Sequence, residues 1–182
     1  MRDALATCPT LSVTGCEIHA VDNASAMIEA SRTLINTASD ATPAEHTVPI
    51  ILHEADLEAH PLLNASVVAM NFTLQFVRVD ARQSLMQKIA DALQPGGVLI
   101  LSEKVRFEDP LVNDMHIDMY HQFKSQNGYS DLEISQKRTA LENVLVPDTL
   151  EQHRDRLLGS GFKHSTVWFQ CFNFASLIAI KE

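Results

Sequence analysis

Four short apolar runs, each closing on an acid or an amide and separated by helical or polar stretches, constrain this 182-residue chain more than any other feature. Cys16 to Val21 stops at Asp22-Asn23, and Val48 to Leu52 runs into His53-Glu54-Ala55-Asp56. Ala65 to Met70 stops at Asn71, and Val98 to Leu101 ends in Ser102-Glu103-Lys104. Short runs that are apolar throughout are the pattern of strands buried on both faces. Between the first two, Met27, Ile28, Leu34 and Ile35 recur at helical spacing from Ala24 to about Thr37, with Asn23 placed as N-cap. A second helix, from about Asp80 to Leu93, is broken by Pro95-Gly96-Gly97. Strand and helix in alternation predict an open α/β fold with a mostly parallel sheet, whose ligands sit at the carboxyl ends of the strands.

Beyond the fourth run, Leu111 to Phe123 and Asp131 to about Val144 read as helices separated by the turn Asn127-Gly128-Tyr129. A further helix, Asp148 to Leu158, exits through Gly159 and Gly161. Ser165 to Ile180, rich in aromatic and β-branched residues, predicts an antiparallel hairpin turning near Cys171 to Phe174. No repeat and no interdomain linker is visible, so residues 1–182 read as a single domain with a helical insertion at about 110–146.

The charge balance narrows the function classes. With 23 acidic against 14 basic residues, a formal charge of −9 repels a phosphate backbone, which argues against a nucleic-acid partner. Three cysteines, Cys8, Cys16 and Cys171, make an odd number without CxxC spacing, which predicts free thiols and a reducing, cytoplasmic setting. No apolar run approaches the ~20 residues that span a bilayer, and Met1-Arg2-Asp3 leads into no signal-peptide core, so no membrane association is expected.

Candidate chemistry gathers where the strands end. Asp22 stands where nucleotide-binding folds place an acid to accept both ribose hydroxyls, and Asp56 where an acid or amide meets an adenine amino group. Either also fits a solvated loop acid or a helix cap. Asn71 ends a strand where the amino-acid portion of an adenosylmethionine would pass, or it is a turn amide. Asp114, His116, Asp118 and His121 crowd one helix, but the two histidines are five apart and off a common face, so no metal site is expected. Phe162, Phe169, Phe172, Phe174 and Trp168 read as core. Gln136-Lys137-Arg138 reads as a solvated face on spacing alone.

Longer runs carry a resemblance. Asn71 to Phe76 (NFTLQF), Leu101 to Lys104 (LSEK), Asn127 to Ser130 (NGYS), Ser135 to Arg138 (SQKR) and Trp168 to Phe174 (WFQCFNF) resemble, in this order, the carboxy-S-adenosylmethionine synthases. The likeness extends from about Cys16 onward. It implies a Rossmann-like class I methyltransferase fold and a reaction that joins the carboxyl group lost from prephenate to the methyl carbon of S-adenosylmethionine. The products would be carboxy-S-adenosylmethionine, used in tRNA wobble uridine modification, and phenylpyruvate. By the same resemblance, Asp22 and Asn23 lie at the ribose and adenosine side, Asp56 and Leu57 at the adenine, and Asn71 near the methionine portion. Arg138 binds the new carboxylate, no metal is used, the protein is a homodimer, and tRNA is not bound directly.

The resemblance also sets an expectation of absence. Family members carry, before the segment matching Cys16 to Asn23, a first strand and a glycine turn that have no counterpart here. That strand would lie centrally, between the strands ending at Asp22 and Asn71, so two unpaired edges are expected. Two other readings use the same residues. One is an inactive or partner-dependent fragment, and the other is an ordinary methyltransferase, which needs Asp22 and Asp56 but not Arg138.

Overall fold

The computed structural model describes residues 15–40, 48–62, 64–130, 132–133, 135–136 and 144–182. They fall into two compact units divided between Pro61 and Leu62. In the first, strand β1 (Ile18–Asp22) leads into helix α1 (Ser25–Asp40) and returns as β2 (Ile50–Glu54). The two strands pair in parallel, from Ile18 opposite Ile50 to Asp22 opposite Glu54. This is the expected strand–helix–strand unit, with β2 displaced two residues toward the acids. The bond that holds the turn into α1 comes from Asp22 and not from Asn23: Asp22 Oδ1 accepts from the Ala24 N–H at 2.8 Å. Of the apolar positions expected to face a core, Ile28 is buried, whereas Met27 and Leu34 are exposed.

The second unit holds β3 (Ala65–Asn71), helix α2 (Arg82–Ala92), β4 (Leu93–Lys104), α3 (Pro110–Gln126), α4 (Leu150–Gly159), and the hairpin β5 (His164–Cys171) and β6 (Phe174–Ile180). Its sheet order is β3-β4-β6-β5. β3 and β4 run parallel, and β6 pairs antiparallel with both β4 and β5. The register between β3 and β4 shifts between Ala65 and Val67, where four residues, Gln94 to Gly97, loop out of the pairing. Gly96 takes φ +77 there, which explains the Pro-Gly-Gly sequence. Among the described strands β1 pairs with β2, and β3 pairs with β4.

Alternation along β4 decides where the core sits. Leu99, Leu101 and Glu103 face one side and are almost fully buried, together with Leu177 and Ala179 of β6. Leu85, Met86 and Ile89 of α2 and His153 and Leu157 of α4 are buried residues at helical spacing. The expectation of strands buried on both faces is not met. Val67 of β3 is 59% exposed, and along β4 the residues Val98, Ile100, Ser102 and Lys104 are only half-buried. On that second side Trp168 Nε1 donates to Ser176 Oγ at 2.7 Å, and Ser176 Oγ lies 2.9 Å from Ser102 Oγ. A polar row crosses three strands where a core was expected, so Trp168 (59%) and Phe169 (57%) are exposed on the edge strand β5. Phe162 alone of the expected aromatic core is fully buried, while Phe172 and Phe174 are half-buried.

Caps and a buried ion cluster finish the second unit. Thr149 and Gln152 close α4 with a reciprocal capping box. Asp109 caps α3, accepting from the Leu111 and Val112 N–H groups. Arg82 is 1% exposed and donates to Asp148 Oδ2 at 2.7 Å and to the carbonyls of Gln75, Val77 and Val146. Arg156 reaches the same Asp148 oxygen at 2.8 Å. Two guanidinium groups on one carboxylate tie the loop after β3 to the start of α4.

Candidate functional site

In the first unit the two predicted acids stand at the same end of a parallel strand pair. Asp22 closes β1, and Asp56 follows β2 by two residues. The Ala55 N–H donates to the Asp22 carbonyl at 3.0 Å, which couples the two chain ends. Asp56 Oδ1 accepts from the Glu58 N–H at 2.8 Å, as Asp22 Oδ1 does from Ala24. Each carboxylate therefore commits one oxygen to its own turn, and both side chains are exposed. Leu57, half-buried, begins the turn after Asp56, and Asn23 is exposed beside Asp22. Nearby on the sheet, His19 Nδ1 lies 2.9 Å from His53 Nε2, and His19 Nε2 lies 2.9 Å from Glu17 Oε1.

In the second unit Asn71 ends β3 opposite Ser102 and is exposed. Its carbonyl accepts from Thr73 Oγ1 at 3.1 Å. The next residue, Phe72, has φ +53, a left-handed conformation that is rare for a bulky side chain. Behind this turn sits Glu103, fully buried at the end of β4. Its Oε1 accepts from the N–H groups of Thr73 (3.1 Å) and Leu74 (2.8 Å), and its Oε2 from that of Gln75 (3.2 Å). Gln75, also buried, returns the tie by accepting from the Lys104 N–H at 3.0 Å. One carboxylate thus fixes the loop after Asn71.

Burial pushes the Glu103 carboxyl up to about 7, although its three backbone donors and the Arg82 charge pull the other way. His153, beside the Arg82–Asp148–Arg156 cluster, is pushed down to about 4, chiefly by burial, with Asp148 opposing and the two arginines assisting. Burial also acts to raise Asp148, but the Arg82 hydrogen bond and the charges of Arg156 and Arg82 outweigh it and hold the group below its usual range.

Arg138 lies outside the described residues, as does most of the helix expected from Asp131. His116 stacks on Phe107 at 4.2 Å, with its Nδ1 buried and without a hydrogen-bond partner. Among the described residues no three His, Cys, Asp or Glu side chains are grouped to hold a metal ion. No described helix is long and apolar enough to cross a membrane. Sequence reasoning missed Glu103 as a clamp. Its signal was a two-residue period, Leu99, Leu101, Glu103, which puts an acid on the buried face of a strand.

Residues 5–101, more than half of the chain, match the Methyltransferase domain family. Carboxy-S-adenosyl-L-methionine synthase of a Geobacter species is 52% identical over 171 residues, covering 94% of this chain and 68% of that protein. The protein of the same name from Aeromonas salmonicida is 54% identical over 172 residues, covering 94% and 67%. The chain therefore spans about two thirds of the length of these relatives. Among solved structures, a possible exported protein from Bordetella parapertussis superposes with a TM-score of 0.65 at 17% identity, over 97% of this chain and 57% of its own. An O-methyltransferase family 2 protein from Planctomyces limnophilus gives 0.61 at 17%, over 91% and 43%. At such identities the structures establish a shared fold, that of the methyltransferases.

Proposed function

The chain belongs to the carboxy-S-adenosyl-L-methionine synthases, enzymes of transferase type built on a methyltransferase domain, and from this we propose that it carboxylates S-adenosylmethionine at the expense of prephenate. The observation that carries the proposal is identity above half over nearly the whole chain to relatives of that name. The strand-end acids support it. Asp22 accepts from the ribose hydroxyls and Asp56 from the adenine amino group, each with the carboxylate oxygen its own turn leaves available. Asn23 and Leu57 flank them, and Asn71 takes the methionine portion.

In the proposed reaction, prephenate loses its ring carboxylate as carbon dioxide and its ring hydroxyl as water, leaving phenylpyruvate. The sulfonium charge stabilises a carbanion on the S-methyl group once a proton leaves for that departing hydroxyl. The carbanion attacks carbon dioxide, and the new carbon–carbon bond gives carboxy-S-adenosylmethionine. Water must be kept from the carbanion, so the step needs a closed pocket. Arg138 supplies a planar fork for the new carboxylate. The protein acts as a cytoplasmic homodimer, and its product serves wobble uridine modification by a separate enzyme.

The test incubates the protein with S-adenosylmethionine and prephenate and weighs the nucleoside product. A gain of one carboxyl group on the sulfonium, with phenylpyruvate formed in equal amount, is expected. Methyl transfer to an added acceptor without carboxylation would replace this reading by an ordinary methyltransferase.

A further inference from the structure

Two histidines on neighbouring strands of the first unit hold one proton between their facing nitrogens. In the parallel pairing of β1 with β2, His19 stands opposite Ile51 and Val21 opposite His53, so His19 and His53 share one face of the pair, two positions apart along it. His19 Nδ1 and His53 Nε2 are 2.9 Å apart, and the two rings stack at an interplanar angle of 9°. The other nitrogen of His19, Nε2, lies 2.9 Å from Glu17 Oε1. A carboxylate only accepts, so in the neutral ring Nε2 carries the His19 proton and Nδ1 keeps its lone pair, to which the His53 Nε2–H donates. On its far side His53 is packed by the His60 ring, with centroids 4.5 Å apart.

Such a pair has what metal-binding imidazoles need. A histidine that ligates through one ring nitrogen is commonly oriented by a carboxylate on the other, and Glu17 holds His19 in that manner. His53 needs only its other neutral tautomer to turn Nε2 from donor to ligand, and a tilt of the rings then turns both lone pairs onto one ion. Spacing selects that ion. Two nitrogens about 2.05 Å from one metal are about 2.9 Å apart when they subtend a right angle and about 3.3 Å apart at the tetrahedral angle. The 2.9 Å between these nitrogens therefore fits cis positions of an octahedral or square-planar ion. Two ligands come from the protein, and because the His19 side chain is 47% exposed, water fills the remaining positions. We propose that His19 and His53 form a two-nitrogen site for a divalent ion of the nickel or copper type, with Glu17 orienting His19. The ion takes no part in the carboxylation proposed above. It ties β1 to β2, and since the unfolded chain does not hold the two rings together, it stabilises the first unit.

Ni2+ and Zn2+ are titrated separately into the 182-residue protein by calorimetry, and the histidine ring signals are followed by NMR, where paramagnetic Ni2+ broadens its own ligands first. Less than one equivalent of Ni2+ should broaden His19 and His53 ahead of the other histidines, and saturating Ni2+ should raise the melting temperature. Ni2+ should also bind more tightly than Zn2+, which prefers the wider tetrahedral angle. His19→Gln and His53→Gln should each weaken Ni2+ to the level of the double variant, because the two nitrogens act as a pair. Glu17→Ala should weaken it about tenfold, as the loss of a group that orients a ligand does. Broadening spread evenly over the eight histidines would mean adventitious binding and overturn the site. Unchanged Ni2+ affinity in either histidine variant overturns it too. Zn2+ binding as tight as that of Ni2+ overturns the cis geometry, and unchanged affinity in Glu17→Ala overturns the orienting role of the carboxylate.

Discussion

His153→Leu should turn a flat stability–pH profile into a steep one. Two buried groups in the second unit bind protons in opposite senses on folding. Glu103 is raised from 4.5 to about 7, so the folded state holds a proton that the unfolded chain releases. Its contribution is complete below pH 4.5 and is lost as pH rises through 7. His153 is lowered from 6.5 to about 4, so the unfolded chain binds a proton that the folded state refuses. Its contribution is complete above pH 6.5 and is lost as pH falls through 4. Each shift corresponds to about 3 kcal/mol, and between pH 4.5 and 6.5 the two slopes are near-equal and opposite. Asp148, held below its usual range, acts only at more acid pH. Leucine at 153 leaves no titrating group there and removes the unpartnered Nε2, so Glu103 alone remains in this window. Urea unfolding from about pH 4.5 to 7.5 should then show stability falling by about 3 kcal/mol with rising pH. Glu103→Gln should show the opposite slope. A His153→Leu protein as flat as the parent would refute the linkage, as would a slope of the wrong sign.

Arg138→Ala should leave S-adenosylmethionine affinity nearly unchanged and weaken carboxy-S-adenosylmethionine by about 2 to 4 kcal/mol, with lysine recovering only part, measured by calorimetry on both ligands. An equal loss for both would remove Arg138 from the carboxylate. Asp22→Ala should weaken S-adenosylmethionine by about 1.5 to 3 kcal/mol for each ribose bond lost, and unchanged affinity would take Asp22 out of the site. Arg82→Ala leaves Asp148 with Arg156 as its one guanidinium partner and strips the Gln75, Val77 and Val146 carbonyls of a buried donor, so chemical unfolding should report a loss of about 3 to 5 kcal/mol. A loss below about 1 kcal/mol would mean that water or Arg156 takes over the role.

Strand and helix order was legible because it arises from local periodicity. Each strand end predicted from an acid or amide lies within three residues of its place, and Cys171 to Phe174 does turn the C-terminal hairpin. Burial was less legible, because it depends on neighbours. An apolar run announces a strand but not whether both its faces are covered, and Val67 of β3 is exposed despite its sequence. The same holds for Trp168. Its indole bonds to Ser176 across the hairpin on a sheet face whose polar row, Ser102 and Ser176, comes from residues 74 apart.

Site residues divide along the same line. The strand-end positions of Asp22, Asp56 and Asn71, proposed to hold the ligand, were visible because a strand's carboxyl end is a local feature of the sequence pattern. Glu103 and Arg82 were not, since each is meaningful only through partners brought in from afar: Thr73 to Gln75 for the carboxylate, Val146 and Asp148 for the guanidinium. These hidden groups hold the loop that follows Asn71. Asn71 is one residue from a left-handed Phe72, and such a turn keeps its shape only if residues 73–77 are held in place. Glu103 holds them with three accepted hydrogen bonds, and Arg82 anchors the loop's far end through the Gln75 and Val77 carbonyls. A substitution at either residue would therefore disturb Asn71 without touching a ligand, and its effect on binding should scale with the loss of order in residues 72–77, read by amide exchange. If exchange there stayed slow in Glu103→Ala while ligand affinity fell, the carboxylate would be acting on the ligand and not on the loop.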